Sequence, residues 1–301
     1  KTNFMQKIGF YFFYGFIWVI TLLPLSILYL FSDFLYLIIF YLVRYRRSIT
    51  RNNLKASFPD KSDKEIIQIE KKFYHHFCDS FIETMKQLHF SEKCLRKRIE
   101  INNKELFDDL YQKEKNIILY SGHYGNFEWV TILHKLLNSN THYFFSPIYQ
   151  KLKNTYFDIL YITLRNKYGA ISIEQKKAIR RILTLQKSNE KAIFLLVSDQ
   201  RPRRNNLNYW ITFMNQDTPV ITGTEHIAKQ TNSAAVYLEI QKISRGHYAW
   251  SFTLMEENPK ILPNYKLTDM YFSLLEKTIR KAPQYYLWTH KRWLYKKENG
   301  N

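Results

Sequence analysis

The chain has 301 residues, a formal net charge of +19 and 17% aromatic residues, with 23 Tyr and 22 Phe against only 8 Gly and 8 Pro. That length supplies a substantial core, and the scarcity of Gly and Pro excludes extended disorder. Two cysteines, Cys78 and Cys94, without ligand spacing exclude a disulfide framework and read as ordinary thiols in a reducing compartment. The charge favours anionic partners: lipid headgroups, phosphorylated substrates, an acidic carrier protein or nucleic acid.

The first element is apolar. Residues 1–43 carry only Lys1, Lys7 and Asp33 as charges, and Ile8–Val43 then runs into "RYRRSITRNNLK" with Arg44, Arg46, Arg47, Arg51 and Lys55. Ile8–Leu30 is long enough to span a bilayer with Pro24 as a kink, whereas Phe34–Val43 is too short. One span or a re-entrant hairpin broken near Pro24 and Asp33 both fit, and the alternative is a hydrophobic hairpin buried in a soluble fold. The stretch is too long for a signal peptide and lacks a small-residue cleavage site. The basic residues behind it place the body on the cytoplasmic side. Residues 1–57 therefore form an expected membrane anchor and basic junction, and 58–301 one catalytic domain.

After turn signals at Pro59 and Asp60, Ser62 or Asp63 caps a predicted helix with Ile66, Ile69, Phe73, Phe77, Phe81, Met85 and Leu88 along one side. Strand patterns follow at Asn116–Tyr120, Thr141–Ile148, Ala192–Val197 and Ala234–Ile240. Helical patterns occupy about 126–138, 153–168, 175–188 and 222–231. Tyr209–Met214 and His247–Met255 read as antiparallel or mixed strands. The alternation predicts an α/β fold: a mixed, largely parallel sheet flanked by helices, behind an N-terminal hydrophobic helix or hairpin.

The first strand ends in "YSGHYGNFEW" (120–129), where His123 precedes Glu128 by five positions at a strand-to-helix turn. A carboxylate folding back to one imidazole nitrogen fixes the tautomer and makes the ring an effective general base. There is no GxSxG elbow, so such a base activates a substrate hydroxyl directly, with backbone N–H groups of 121–126 or a nearby cation available to an oxyanion. On spacing alone, a capping histidine and a solvated glutamate explain the pair better than chemistry does. His75 and His76 lack any metal pattern and His134 reads as structural, so no metal is expected. Arg201, Arg203 and Arg204 are either a solvated run or a phosphate site. Trp288, His290, Arg292 and Trp293 suit an interface or a core.

The apolar N-terminus, the basic junction and "SGHYGNFEW" resemble the lysophospholipid acyltransferase superfamily, whose signature is a histidine followed after four residues by an acid. Further blocks are similar to the bacterial lipid A late (secondary) acyltransferases. These are "SPIYQKLKNTYFDILYITLRNKYGAISI" (146–173) with Asn154, Asp158, Arg165 and Gly169, "LLVSDQRP" (195–202), "FMNQDTPVITGTEHIAKQTNSAAVYLEI" (213–240) and "PQYYLWTHKRWLYKK" (283–297). The resemblance runs through essentially the whole chain, in order. It departs at Ser146, at Phe213-Met214-Asn215 and at "RPRRNN" (201–206), which bear on acceptor identity.

The resemblance implies acyl transfer from an acyl-carrier-protein thioester, as co-substrate and without cofactor, to a hydroxyl of a lipid A precursor at the bacterial inner membrane. His123 is then the base and Glu128 its orienting partner. Gly125, Asn126, Asn154, Asp158, Arg165, Asp199, Gln200 and Arg201 are the expected substrate-binding residues. The implied partners are the acyl carrier protein, an anionic glycolipid or lysolipid, and the membrane, with no nucleic acid. A lysophospholipid or aminolipid acceptor is the alternative within enzymes. A non-enzymatic protein binding anionic membranes or nucleic acid is the alternative outside them.

Overall fold

The computed structural model describes residues 4–138, 140–188 and 190–297. The last residues of the expected catalytic domain, 298–301, lie outside them. In chain order the helices are α1 (Phe4–Ile20), α2 (Leu25–Leu37, extended by a π-helical turn to Leu42), α3 (Arg47–Ser57) and α4 (Asp63–Lys86). They continue with α5 (Glu92–Arg96), α6 (Glu105–Gln112), α7 (Leu133–Leu136), α8 (Thr155–Asn166), α9 (Ala178–Lys187), α10 (Gly223–Thr231) and α11 (Lys266–Lys281). The strands are β1 (Ile99–Ile101), β2 (Ile117–Ser121), β3 (Phe144–Tyr149), β4 (Ile173–Glu174), β5 (Ala192–Val197), β6 (Trp210–Phe213), β7 (Gln216–Pro219), β8 (Ala234–Ser244) and β9 (His247–Glu256).

Seven strands form one sheet in the order β1-β9-β8-β2-β5-β3-β4, and β6–β7 make a separate antiparallel ribbon. Every pairing in the large sheet is parallel except the β8–β9 hairpin. All five residues of β2 are buried, as are Ala192–Leu196 of β5. Strands covered on both faces need apolar side chains at every position, which is why these two read as unbroken runs. Asn116 stitches the centre: its side-chain oxygen accepts the Ala192 N–H at 2.7 Å and its carbonyl accepts the Ala234 N–H at 2.8 Å.

The region 126–138 differs from the single helix expected. It is a 3₁₀ stretch, Phe127–Ile132, followed by the one-turn α7. The elements α3, α5, α6, α11, β1, β4 and β7 carried no sequence expectation. Helix α4 starts where predicted, with the Ser62 hydroxyl and the Glu65 side chain closing a reciprocal cap.

The apolar N-terminus is two helices, so Ile8–Leu30 is not one continuous span. Pro24 has no N–H to donate, and the chain breaks between Ile20 and Leu25. The carbonyls of Thr21 and Leu23 at that break accept hydrogen bonds from Lys86 Nζ on α4, at 2.7 and 2.9 Å. Leu25–Leu42 is long and apolar enough to cross a membrane, and only 22% of it is buried. Phe12 is 81% exposed and Leu42 78%, so this is not a hairpin buried inside the fold. It is compatible with a membrane-associated protein.

The basic junction is largely occupied inside the chain. Arg47 and Arg51 pair with the fully buried Glu70, and Lys55 pairs with Asp63.

Asp79 on α4 joins α2 to the β8–β9 hairpin. Its carboxylate accepts from Ser32 at 2.8 Å, from Arg245 at 2.6 Å and from Lys242 at 3.2 Å, and Arg245 also reaches Asp33 at 2.5 Å. Burial alone raises the Asp79 carboxyl, but His75, Arg245, Lys242 and Ser32 outweigh it and hold it well below the usual carboxylate range. A depressed folded value means stabilisation that is complete above about pH 4 and lost as the pH falls below it. Asp79→Asn, which removes the buried carboxylate that Lys242 and Arg245 share while Arg245 keeps Asp33, is expected to cost about 3 kcal/mol at pH 7. Thermal or denaturant unfolding should show the gap to wild type narrowing below pH 4.

Candidate active site

The parallel register of β2 and β5 sets Ser121 beside Val197, so the residues that follow emerge side by side at the carboxyl end of the sheet. His123 leaves β2 two positions on, and Asp199 leaves β5 two positions on. Their loops are joined by the Ser198 N–H donating to the Ser121 carbonyl at 3.3 Å.

Asp199, 2% exposed, accepts from His123 twice: from ring Nδ1 at 2.6 Å and from the backbone N–H at 3.1 Å. A carboxylate only accepts, so the shared ring proton belongs to Nδ1 and the neutral imidazole presents a lone pair at Nε2. The Gln200 amide donates to that lone pair at 3.1 Å. Burial raises the Asp199 carboxyl, but the electrostatic pull of His123 and its two N–H donors outweigh it and hold it below its usual range. Phe127 packs edge-on against the imidazole, ring centroids 4.9 Å apart.

Glu128 is not the partner of His123. From the 3₁₀ stretch its carboxylate takes a two-pronged contact from Arg165 on α8, Nε at 2.9 Å and Nη2 at 2.6 Å. The expectation of a carboxylate folding back assumed an α-helix after the turn. The 3₁₀ stretch and the reach of Arg165 carry the side chain elsewhere. Burial lowers the Arg165 guanidinium, but the Glu128 carboxylate more than restores it, and its pKa is raised.

His123, Glu128, Arg165, Gln200 and Arg201 all line one cavity of about 490 Å³, within the roughly 300–1,000 Å³ of small-molecule sites. Its apolar wall includes Phe127, Pro147, Ile148, Leu195, Leu196 and Ile221, and Lys151 and Lys153 add positive charge at its edge. Five of the expected residues thus converge there, with Asp199 directly behind them.

The other four hold backbone or buried groups and do not line the cavity. Asn154 caps α8, accepting from Tyr156 N–H at 3.0 Å, and the buried Asp158 accepts the Leu152 N–H at 2.7 Å. Asn126 donates at 2.8 Å to the buried Glu83, which also receives the Tyr29 and Tyr248 hydroxyls. Gly125 sits at φ +60° with its N–H on the Tyr285 carbonyl at 2.9 Å.

Three of the 121–126 turn donors expected to meet an oxyanion are engaged as well. The His123, Tyr124 and Gly125 N–H groups go to Asp199, the Gly122 carbonyl and the Tyr285 carbonyl. The C-terminal aromatic cluster is core: Trp288 is 0% exposed and Arg292 1%. Asp33, His75 and Asp79 bring ligand-type atoms within 4.8 Å of one another, but Arg245 and Lys242 already meet their carboxylates, and they lie outside the cavity lining.

Sequence reasoning placed Asp199 among the substrate-binding residues and missed that it holds the His123 ring. The available signal was that two apolar runs of similar length, each ending in a polar loop, are neighbours in a parallel sheet. A family model described as bacterial lipid A biosynthesis acyltransferase matches residues 1–295. No curated protein sequence matches the chain.

A Cβ added to Gly125 would stand 2.7 Å from Ile240 Cγ2, in a left-handed backbone besides. Gly125→Ala is therefore expected to destabilise the protein by about 1–3 kcal/mol, read as a lowered unfolding midpoint.

Proposed function

The chain belongs to the bacterial lipid A biosynthesis acyltransferase family and is an acyltransferase, and we propose that it moves a fatty acyl chain from an acyl-carrier-protein thioester to a hydroxyl of a lipid A precursor, with His123 as general base. The observation that carries this reading is the imidazole held by buried Asp199 at Nδ1 while Nε2 opens on the cavity.

In the proposed reaction the acceptor hydroxyl displaces the Gln200 amide and gives its proton to His123 Nε2 as its oxygen attacks the thioester carbonyl. Asp199 stabilises the imidazolium that forms. The tetrahedral intermediate collapses with cleavage of the C–S bond, and the departing thiolate takes the proton from Nε2. With the backbone donors of 123–125 engaged, Gln200 and the neighbouring Arg201, both in the cavity lining, meet the oxyanion. Lys151 and Lys153, beside the paired Arg165 and Glu128, offer positive charge to the phosphates of the acceptor. The apolar wall takes the acyl chain.

Residues 1–57 act as membrane anchor and junction, and 58–301 as the catalytic part. Exposed apolar residues such as Phe12, Phe16, Leu30, Phe34 and Leu42 support seating at the membrane surface. We place the body on the cytoplasmic face of the inner membrane, where acyl carrier protein is available to its positive surface.

Acyl transfer from labelled acyl-carrier protein to a lipid A precursor is expected to fall about 100-fold or more in His123→Ala; near-wild-type turnover would sink the mechanism. Mass spectrometry of lipids from a deletion strain should show lipid A lacking one acyl chain. A change confined to phospholipids or aminolipids would identify a different acceptor.

A further inference from the structure

Residues 285–290 touch both loops of the site. The Tyr285 carbonyl takes the Gly125 N–H, the Leu287 N–H donates to the His123 carbonyl at 3.0 Å, and Tyr124 bridges to Tyr286 in antiparallel fashion. On the other side, the Arg201 N–H donates to His290 Nε2 at 3.4 Å. Burial pushes the His290 ring down to about 4, so the ring is neutral near pH 7 and Nε2 remains an acceptor. This strap therefore grips the His123 loop and the Asp199–Arg201 loop at once.

Beyond the 3₁₀ turn Pro283–Tyr285 the strap belongs to no helix or strand. Its carbonyls are held from α3, the helix behind the apolar N-terminus. The Asn53 side-chain amide donates to the Trp288 carbonyl at 2.9 Å and to the His290 carbonyl at 3.0 Å, using both of its hydrogens. Arg46, just ahead of α3, donates to the Thr289 carbonyl at 3.2 Å. Three consecutive carbonyls, 288 to 290, are thus fixed by two residues more than 230 positions away in the chain.

We infer that Asn53 is a positioning residue for acyl transfer, holding the 285–290 strap so that the strap sets the spacing of the His123 and Arg201 loops. Arg46 supports the same strap more weakly, from an exposed side chain. The inference rests on His123 being the base. A shift of about 1 Å between reacting groups costs on the order of 100-fold in rate, and an irregular strap released at three carbonyls has room for such a shift. Asn53 does not line the cavity, so its loss is expected in turnover rather than in substrate affinity.

The test is steady-state acyl transfer from acyl-carrier protein by the full chain in lipid vesicles, comparing wild type, Asn53→Ala, Asn53→Asp, Arg46→Met and His123→Ala. Asn53→Asp keeps the shape and removes the donors. Both Asn53 variants are expected to lose about tenfold or more in kcat with KM within about threefold of wild type, while binding vesicles as wild type does. Arg46→Met is expected to show a smaller loss with the same kcat signature. It removes one exposed side chain, so it decides the matter if an Asn53 variant fails to fold. Unchanged kcat in folded Asn53→Ala, or unchanged kcat in Arg46→Met where the Asn53 variants do not fold, would overturn the inference, as would a change confined to KM. Activity surviving in His123→Ala would instead overturn the general-base reading.

Discussion

The contact between His123 and Asp199 is the interaction on which the site depends, and it is a product of sheet register. Two parallel strands, aligned residue for residue, deliver a histidine and an aspartate from equivalent positions past their ends. The aspartate is buried and accepts two bonds from one residue, the ring and the main chain, so its charge is spent fixing both the tautomer and the place of the imidazole. Nothing in the short loop alone could do this. The loop is rigid because its other N–H groups are tied to the Gly122 and Tyr285 carbonyls.

The remaining charges near the cavity follow a division of labour set by burial. Glu128 and Arg165 neutralise each other across the wall, which keeps an arginine fork at a fixed angle without leaving a bare carboxylate beside His123. Glu83 lies behind the loop in a pocket of hydroxyl and amide donors, where burial raises its carboxyl. Much of the junction's positive charge is consumed by Glu70 and Asp63. The positive groups left near the cavity are those that can meet an anionic ligand.

The sheet was legible because its central strands are apolar on every residue and end in polar loops. The large helix α4 announced itself through a capping box and a seven-position apolar stripe. The π-helical turn after α2 and the 3₁₀ stretch after His123 were not legible, since both are set by tertiary packing rather than by residue type. That second failure moved Glu128: a helical spacing argument assigned it to His123, and the tighter winding assigned it to Arg165. Asp199 was visible as a polar residue at a strand end, but only the pairing of β2 with β5 reveals its partner. The roles of Asn154 and Asp158 as backbone clamps were hidden for the same reason, because a family-like block does not say whether a side chain faces a ligand or its own loop.

The central claim is that Asp199, and not Glu128, holds the ring proton of His123. Low-field proton and ring ¹⁵N NMR of the His-labelled protein tests it directly. The account predicts a strongly deshielded Nδ1–H resonance that disappears in Asp199→Asn and persists in Glu128→Gln. A resonance that survives Asp199→Asn and is lost in Glu128→Gln would contradict it.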